Sequence, residues 1–159
     1  MNQEIVDQIQ TKIIKLFPKD KQSSIGILYN DSCSEISRLV AGWIKEVDES
    51  SRLLILKGVN VCDSQKSHDI LAVETSNNDV YVIDTTIWQF FPEKKSILLS
   101  ISNNLDEALK KISELYGGKW QVSEEISQVS PADEKKYLDI ISQNIKENQN
   151  ENKFKKTTI

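Results

Sequence analysis

The pattern of apolar residues predicts an α+β fold, in the order helix, a second helix that begins at a cysteine, a run of strands, and two further helices. Three observations carry this. Two segments have helical spacing before residue 50, the stretch between Arg52 and Ile101 is rich in short β-type runs, and helical spacing returns over 105–116. In order, Ile5, Val6, Ile9, Ile13, Leu16 and Phe17 recur at intervals of three and four, which predicts an amphipathic helix over 3–17 ended by Pro18. A lysine-rich loop and a short apolar run, Gly26 to Tyr29, precede the polar cluster Asn30-Asp31-Ser32. From Cys33 to about Asp48 the helical period returns on Cys33, Ile36, Val40, Trp43, Ile44 and Val47. Arg52 to Val59 contains LLIL and predicts a buried strand, and 60–67 a loop. The runs from His68 and from Val80 flank Ser76-Asn77-Asn78-Asp79, which predicts a hairpin. A strand over 96–101 follows, then a helix over 105–116 with Asn104 and Glu107 as a capping pair and Gly117-Gly118 at its end. Lys119 to Val122 suits an edge strand, and Pro131 to about Ile145 an amphipathic helix on Tyr137, Leu138, Ile141 and Ile145.

Composition bounds what such a fold can do. The chain has 159 residues, 38% hydrophobic and 28% charged, the balance of one globular domain over 1–146 followed by a flexible polar tail over 147–159. A chain of this length buries roughly two-thirds of its unfolded surface, so neither metal nor disulfide is needed to hold it. With 20 basic and 24 acidic side chains the net charge is −4, which argues against a nucleic-acid partner. No run approaches the roughly 18 apolar residues that cross a bilayer, and the start MNQEIVDQIQ lacks the pattern of a secretion signal. The expectation is a cytoplasmic protein, or one exported or injected without a classical signal peptide, with no membrane partner. Two cysteines, Cys33 and Cys62, are then expected to be reduced.

Ser32-Cys33-Ser34-Glu35 fits a capping box, with Ser32 as N-cap and Glu35 returning to its backbone N–H. Cys33 thus opens a helix, where the positive end of the helix dipole favours a thiolate. Its register with Ile36 and Val40 is equally that of a buried core thiol. His68 is the one histidine of the chain and opens a strand; sixteen residues on, Asp84 interrupts the apolar run VYVIDTT. A carboxylate there needs a buried partner. A hairpin puts both side chains on one face when the sum of paired residue numbers is even, as with 68 opposite 84 or 86, and a loop of three or five residues satisfies that. Cys33, His68 and Asp84 then form a nucleophile, a base and an orienter for acyl transfer. The backbone N–H of Cys33 and the side chain of Asn30 are the candidate oxyanion donors, and Trp88 and Gln89, with Thr85 and Thr86, can border the site. A zinc site would need both cysteines, His68 and an acid at spacings no zinc finger uses, so no metal or other cofactor is expected.

These residues carry a resemblance. The Cys33 helix, the strand from His68 through Glu74, and Tyr81 to Thr86 followed by Trp88-Gln89-Phe90 resemble the papain-like and transglutaminase-like cysteine enzymes whose order is Cys, His, Asp. The likeness spans about residues 25–91, roughly 40% of the chain, and is greatest to compact papain-fold toxin and effector domains of bacterial type. Ile27 and Leu28 stand where papain-type peptidases usually carry a glutamine, and Ser34 where an aromatic residue often follows the nucleophile. The resemblance implies an antiparallel sheet packed on the helix that Cys33 opens, with flanking helices, and a cysteine hydrolase acting through a thioester on a protein or peptide substrate. Hydrolysis of the thioester gives a glutamine deamidase or a protease, and transfer to an amine gives a transglutaminase. The deamidase is the reading preferred from sequence, the peptidase the alternative. A non-catalytic binding module that keeps the fold, with Cys33 in the core, is the rival from another class.

Overall fold

The structure, a computed structural model, describes residues 1–17 and 32–157, with side chains to residue 149. It is α+β, with four α-helices and a five-stranded antiparallel sheet among the described residues. Helix α1 spans Gln3–Ile14, α2 Cys33–Val47, α3 Leu105–Tyr116 and α4 Pro131–Thr157. The strands are β1 Arg52–Val59, β2 Ser67–Glu74, β3 Val80–Ile83, β4 Leu98–Ser102 and β5 Lys119–Ile126. Their order in the sheet is β4-β3-β2-β1-β5. The hairpin between β2 and β3 pairs Leu71 with Ile83 and Glu74 with Val80, an even-sum register closed by the five residues 75–79. Asn78, at φ 68°, takes the left-handed conformation that this turn needs and asparagine tolerates.

Each face of the sheet buries its own cluster, because successive side chains of a strand point to opposite sides. Leu53, Ile55, Leu71, Val73 and Ile83 pack against α1, α2 and α4 through Val6, Ile13, Ile36, Leu39, Val40, Ile44 and Ile141. Leu54, Leu56, Ile70, Ala72, Val80 and Val82 pack against α3 through Ala108, Ile112 and Tyr116. Asp84 and His68 fall in register with the second set.

The elements differ from the sequence expectation in four places. Helix α1 ends at Ile14, with Lys15 as C-cap and a turn through Phe17, so the chain leaves the helix before Pro18 imposes it. On α2 the buried stripe runs through Leu39 and Ala41, and Val47 is exposed, because the helix faces both the sheet and α4. Strand β5 continues to Ile126, since β1 supplies partners along its whole length apart from a register shift between Ile55 and Leu56. Helix α4 continues to Thr157, so its backbone takes in residues expected to form the polar tail. No described helix is long and apolar enough to cross a membrane.

Candidate active site

His68 enters the site from β2, opposite Gly58 on β1, and Gly58 in turn stands opposite Trp120 on β5. A Cβ on Gly58 would lie 2.5 Å from the Trp120 ring, so the glycine lets the indole lie across the sheet toward the imidazole. Trp120 is fixed by its N–H donating to Gly117 O at 2.9 Å. Its ring centroid is 6.4 Å from that of His68, Tyr116 is at 5.7 Å and Phe90 meets the imidazole edge-on at 4.8 Å. Aromatic rings from three elements therefore shut water away from the imidazole, which is 1% exposed.

Asp84 follows the last residue of β3. Its backbone N–H still donates to Ile97 O at 2.9 Å, but its side chain ends the strand by accepting from the Thr86 N–H at 3.0 Å through Oδ1, an Asx turn. The other oxygen, Oδ2, accepts from His68 Nε2 at 2.8 Å and from the hydroxyl of Tyr116. The partnership expected between His68 and Asp84 is present, and both groups are buried. Burial opposes charge on His68, but the charge of Asp84 and its hydrogen bond outweigh burial and push the imidazole pKa up to about 10, with Cys33 adding a smaller contribution. Burial, the Asp84 charge, the hydrogen bond to it and Cys62 push the Tyr116 phenol far above its ordinary range, so it stays a proton donor.

Cys33 approaches from the other face of the sheet. It is the first residue of α2 and is half-buried, and one turn on Ser37 Oγ meets Thr85 Oγ1 at 3.2 Å, holding the helix over the ends of β2 and β3. Because the first intrahelical bond runs from Ile36 N to Ser32 O, the N–H of Cys33 has no partner within the helix, as at any helix start. The sulfur is close enough to the imidazole to favour its protonation, yet His68 Nδ1 closes no hydrogen bond among the described residues.

The capping box does not form. Ser32 is the N-cap but makes no side-chain cap; its buried hydroxyl instead accepts from Asn144 Nδ2 of α4 at 3.1 Å. Glu35 leaves its buried Oε2 without a partner among the described residues. A contact 112 residues distant thus displaces a local one. Arg38 adds a second tie to this end of α2, donating to Ser34 O at 3.1 Å and to Glu124 Oε2 at 2.5 Å, with Asp69 at 3.5 Å.

Asn30 lies outside the described residues. Trp88 and Gln89 occupy the 3₁₀ turn after Asp84. The Trp88 indole donates to Lys94 O at 2.9 Å and packs with the cluster on the α1 and α2 side, while Gln89 Oε1 accepts from Thr86 Oγ1 at 3.3 Å. From this segment it is Phe90 that reaches the imidazole. Cys62 is exposed in a tight turn where Asn60, Cys62 and Asp63 all have positive φ, and burial followed by the charges of Asp63 and Asp84 pushes its thiol up. Sequence reasoning missed Tyr116 and Trp120. Gly58, a glycine inside a strand, is the one signal that pointed to a side chain crossing there. No group of three or more His, Cys, Asp or Glu side chains among the described residues is arranged to hold a metal ion. No protein-family model, curated protein or solved structure significantly matches the chain.

Proposed function

We propose that the protein is a cysteine-dependent acyl-transfer enzyme of papain-like or transglutaminase-like architecture, most simply a protein glutamine deamidase of the toxin or effector kind. The observation that supports this reading best is the division of labour on His68. One ring nitrogen is committed to Asp84, and the other, beside the thiol at a helix N-terminus, closes no hydrogen bond among the described residues. In this reading Asp84 fixes the proton on Nε2, so Nδ1 exchanges a proton with the sulfur.

The Cys33 thiolate attacks the side-chain amide carbon and the carbonyl π pair moves onto oxygen, where the N–H of Cys33 receives the charge. The C–N bond breaks as Nδ1–H gives its proton to the departing nitrogen, releasing ammonia and leaving a thioester. Water then attacks the thioester carbon, Nδ1 takes its proton, and the C–S bond breaks. The sum is amide plus water giving carboxylic acid plus ammonia, a gain of about one dalton on an otherwise intact target.

Intact-mass measurement of candidate target proteins, incubated with wild type and with the Cys33→Ala variant, tests the reading. A gain of about one dalton with wild type alone supports deamidation. Cleavage of the target would replace it by the peptidase. The near-complete burial of His68 favours the binding module as the second reading, since a satisfied core histidine looks the same from one side. Alkylation of Cys33 separates the two: in the enzyme, His68→Ala slows the reaction at pH 7 more than about tenfold, and in a binding module it does not.

A further inference from the structure

Asp84 Oδ2 carries two side-chain donors, His68 Nε2 from β2 and the Tyr116 hydroxyl from the last residue of α3, while Oδ1 carries the Thr86 N–H. A carboxylate that only needed to orient an imidazole would be served by the first and third of these. We propose that Tyr116 is a positioning residue of this site, holding the Asp84 carboxylate in the rotamer that receives His68 and drawing off part of its charge. The inference deepens the acyl-transfer reading and rests on it for its meaning, although its test needs no activity.

Local structure places Tyr116 for this task. Helix α3 ends there because Gly117 follows at φ 66° and ψ −167°, a conformation open essentially to glycine alone. Gly118, at φ 75°, passes so close to β1 that a Cβ would lie 2.3 Å from Val59 O. The two glycines bring β5 back beside β1 and leave the phenol beneath the sheet, 2% exposed. The ionisable groups that bear on this pair are few: Asp84 and Cys33 on His68, and Asp84 and Cys62 on Tyr116. The phenol remains protonated, so it can act on Asp84 only as a donor.

Two donors on one oxygen compete. Removing the phenol leaves His68 as the one side-chain donor on Oδ2 among the described residues, and the imidazolium is held more tightly. The measurement is the titration and the Nε2–H resonance of His68 in the full chain by nuclear magnetic resonance, unambiguous because the sequence holds one histidine. Tyr116→Phe is expected to raise the His68 midpoint by about half a pH unit or more, from the worth of a hydrogen bond to a charged group, and to move Nε2–H downfield. In an Asp84→Asn background the same substitution is expected to do neither. Biosynthetic 3-fluorotyrosine, whose more acidic phenol donates more strongly, should shift the midpoint the other way and keeps the test available if Tyr116→Phe does not fold. A His68 signal indifferent to the phenol, or shifted equally without the Asp84 carboxylate, would overturn the inference. A response in His68 from a protein whose Cys33 proves unreactive would leave the positioning role standing and remove the acyl-transfer reading instead.

Discussion

His68 reaches the site from within the sheet, whereas Cys33 reaches it from the first turn of a helix laid over the sheet, and the two are held in different ways. The imidazole is locked by Asp84, which is itself locked by Tyr116 and the Thr86 backbone, all of them buried. The thiol is half-buried, on a helix start where Ser32 makes no side-chain cap and where one oxygen of Glu35 has no partner among the described residues. In the proposed reading, an imidazole fixed in place and a less enclosed thiol suit covalent chemistry, because the sulfur must move toward the substrate carbon while the proton carrier must keep its tautomer.

The comparison breaks most completely at the sulfur. Cys33→Ala is expected to abolish product formation in any assay in which wild type acts, with an unchanged circular dichroism spectrum, since removing one half-buried sulfur at a helix start costs little packing. Residual turnover at the wild-type rate would end the mechanism.

On the other half the effect divides between rate and stability. Asp84→Asn keeps the shape and is expected to lower the rate by roughly 10³- to 10⁴-fold through the wrong imidazole tautomer. Asp84→Ala strips three buried donors of their acceptor, and urea unfolding should show a loss of about 3–5 kcal/mol. A loss below about 1 kcal/mol would mean that the buried network is less important to this half than its geometry implies.

A smaller effect comes from pH. The His68 pKa is raised from 6.5 to about 10 in the folded chain, so folding takes up a proton on it. Its stabilising contribution is complete below pH 6.5 and is lost as pH rises through about 10. The difference in unfolding free energy between wild type and Asp84→Asn should therefore shrink across that window, with groups that Asp84 does not influence cancelling in the subtraction. A difference that grows with pH would contradict the assignment.

The two halves were also unequally legible. Parity carries the base: strand geometry requires an odd-length loop to put His68 and Asp84 on one face, and the register closes one of five residues. Tyr116 lies 32 residues from Asp84 and reads in its helix as one more core aromatic beside Ile112, so nothing local marks its hydroxyl. The Ser32 cap was misread for the related reason that a local motif competes with a partner distant in sequence. Helix and strand boundaries held where caps and turns are chemical, as at Asn104, whose side chain accepts from Glu107 N at 2.8 Å. They failed where a neighbouring element decides, as with β5, which β1 draws out to Ile126.

The smallest effect concerns what holds the nucleophile half. Asn144 and Ser32 join α4 to the residue before Cys33, and the Ser32 side chain is fully buried while Asn144 is half-buried, so their hydrogen bond is partly shielded from competing water. Asn144 makes a further contact, so Asn144→Ala alone would overstate the bond. The interaction is isolated by Ser32→Ala, Asn144→Ala and the double variant, and the coupling energy from denaturant unfolding is expected to be about 1 kcal/mol. If that bond substitutes for the missing cap, both single variants also change the alkylation rate of Cys33 while leaving the His68 resonance where it was, because the base is anchored by β2, β3 and α3 and not by α4. A coupling near zero would mean that the helix start is held by Arg38 and the Ser37–Thr85 contact instead. A shift at His68 would mean that the two halves are not independently held, and the contrast between a fixed base and a freer thiol would fall with it.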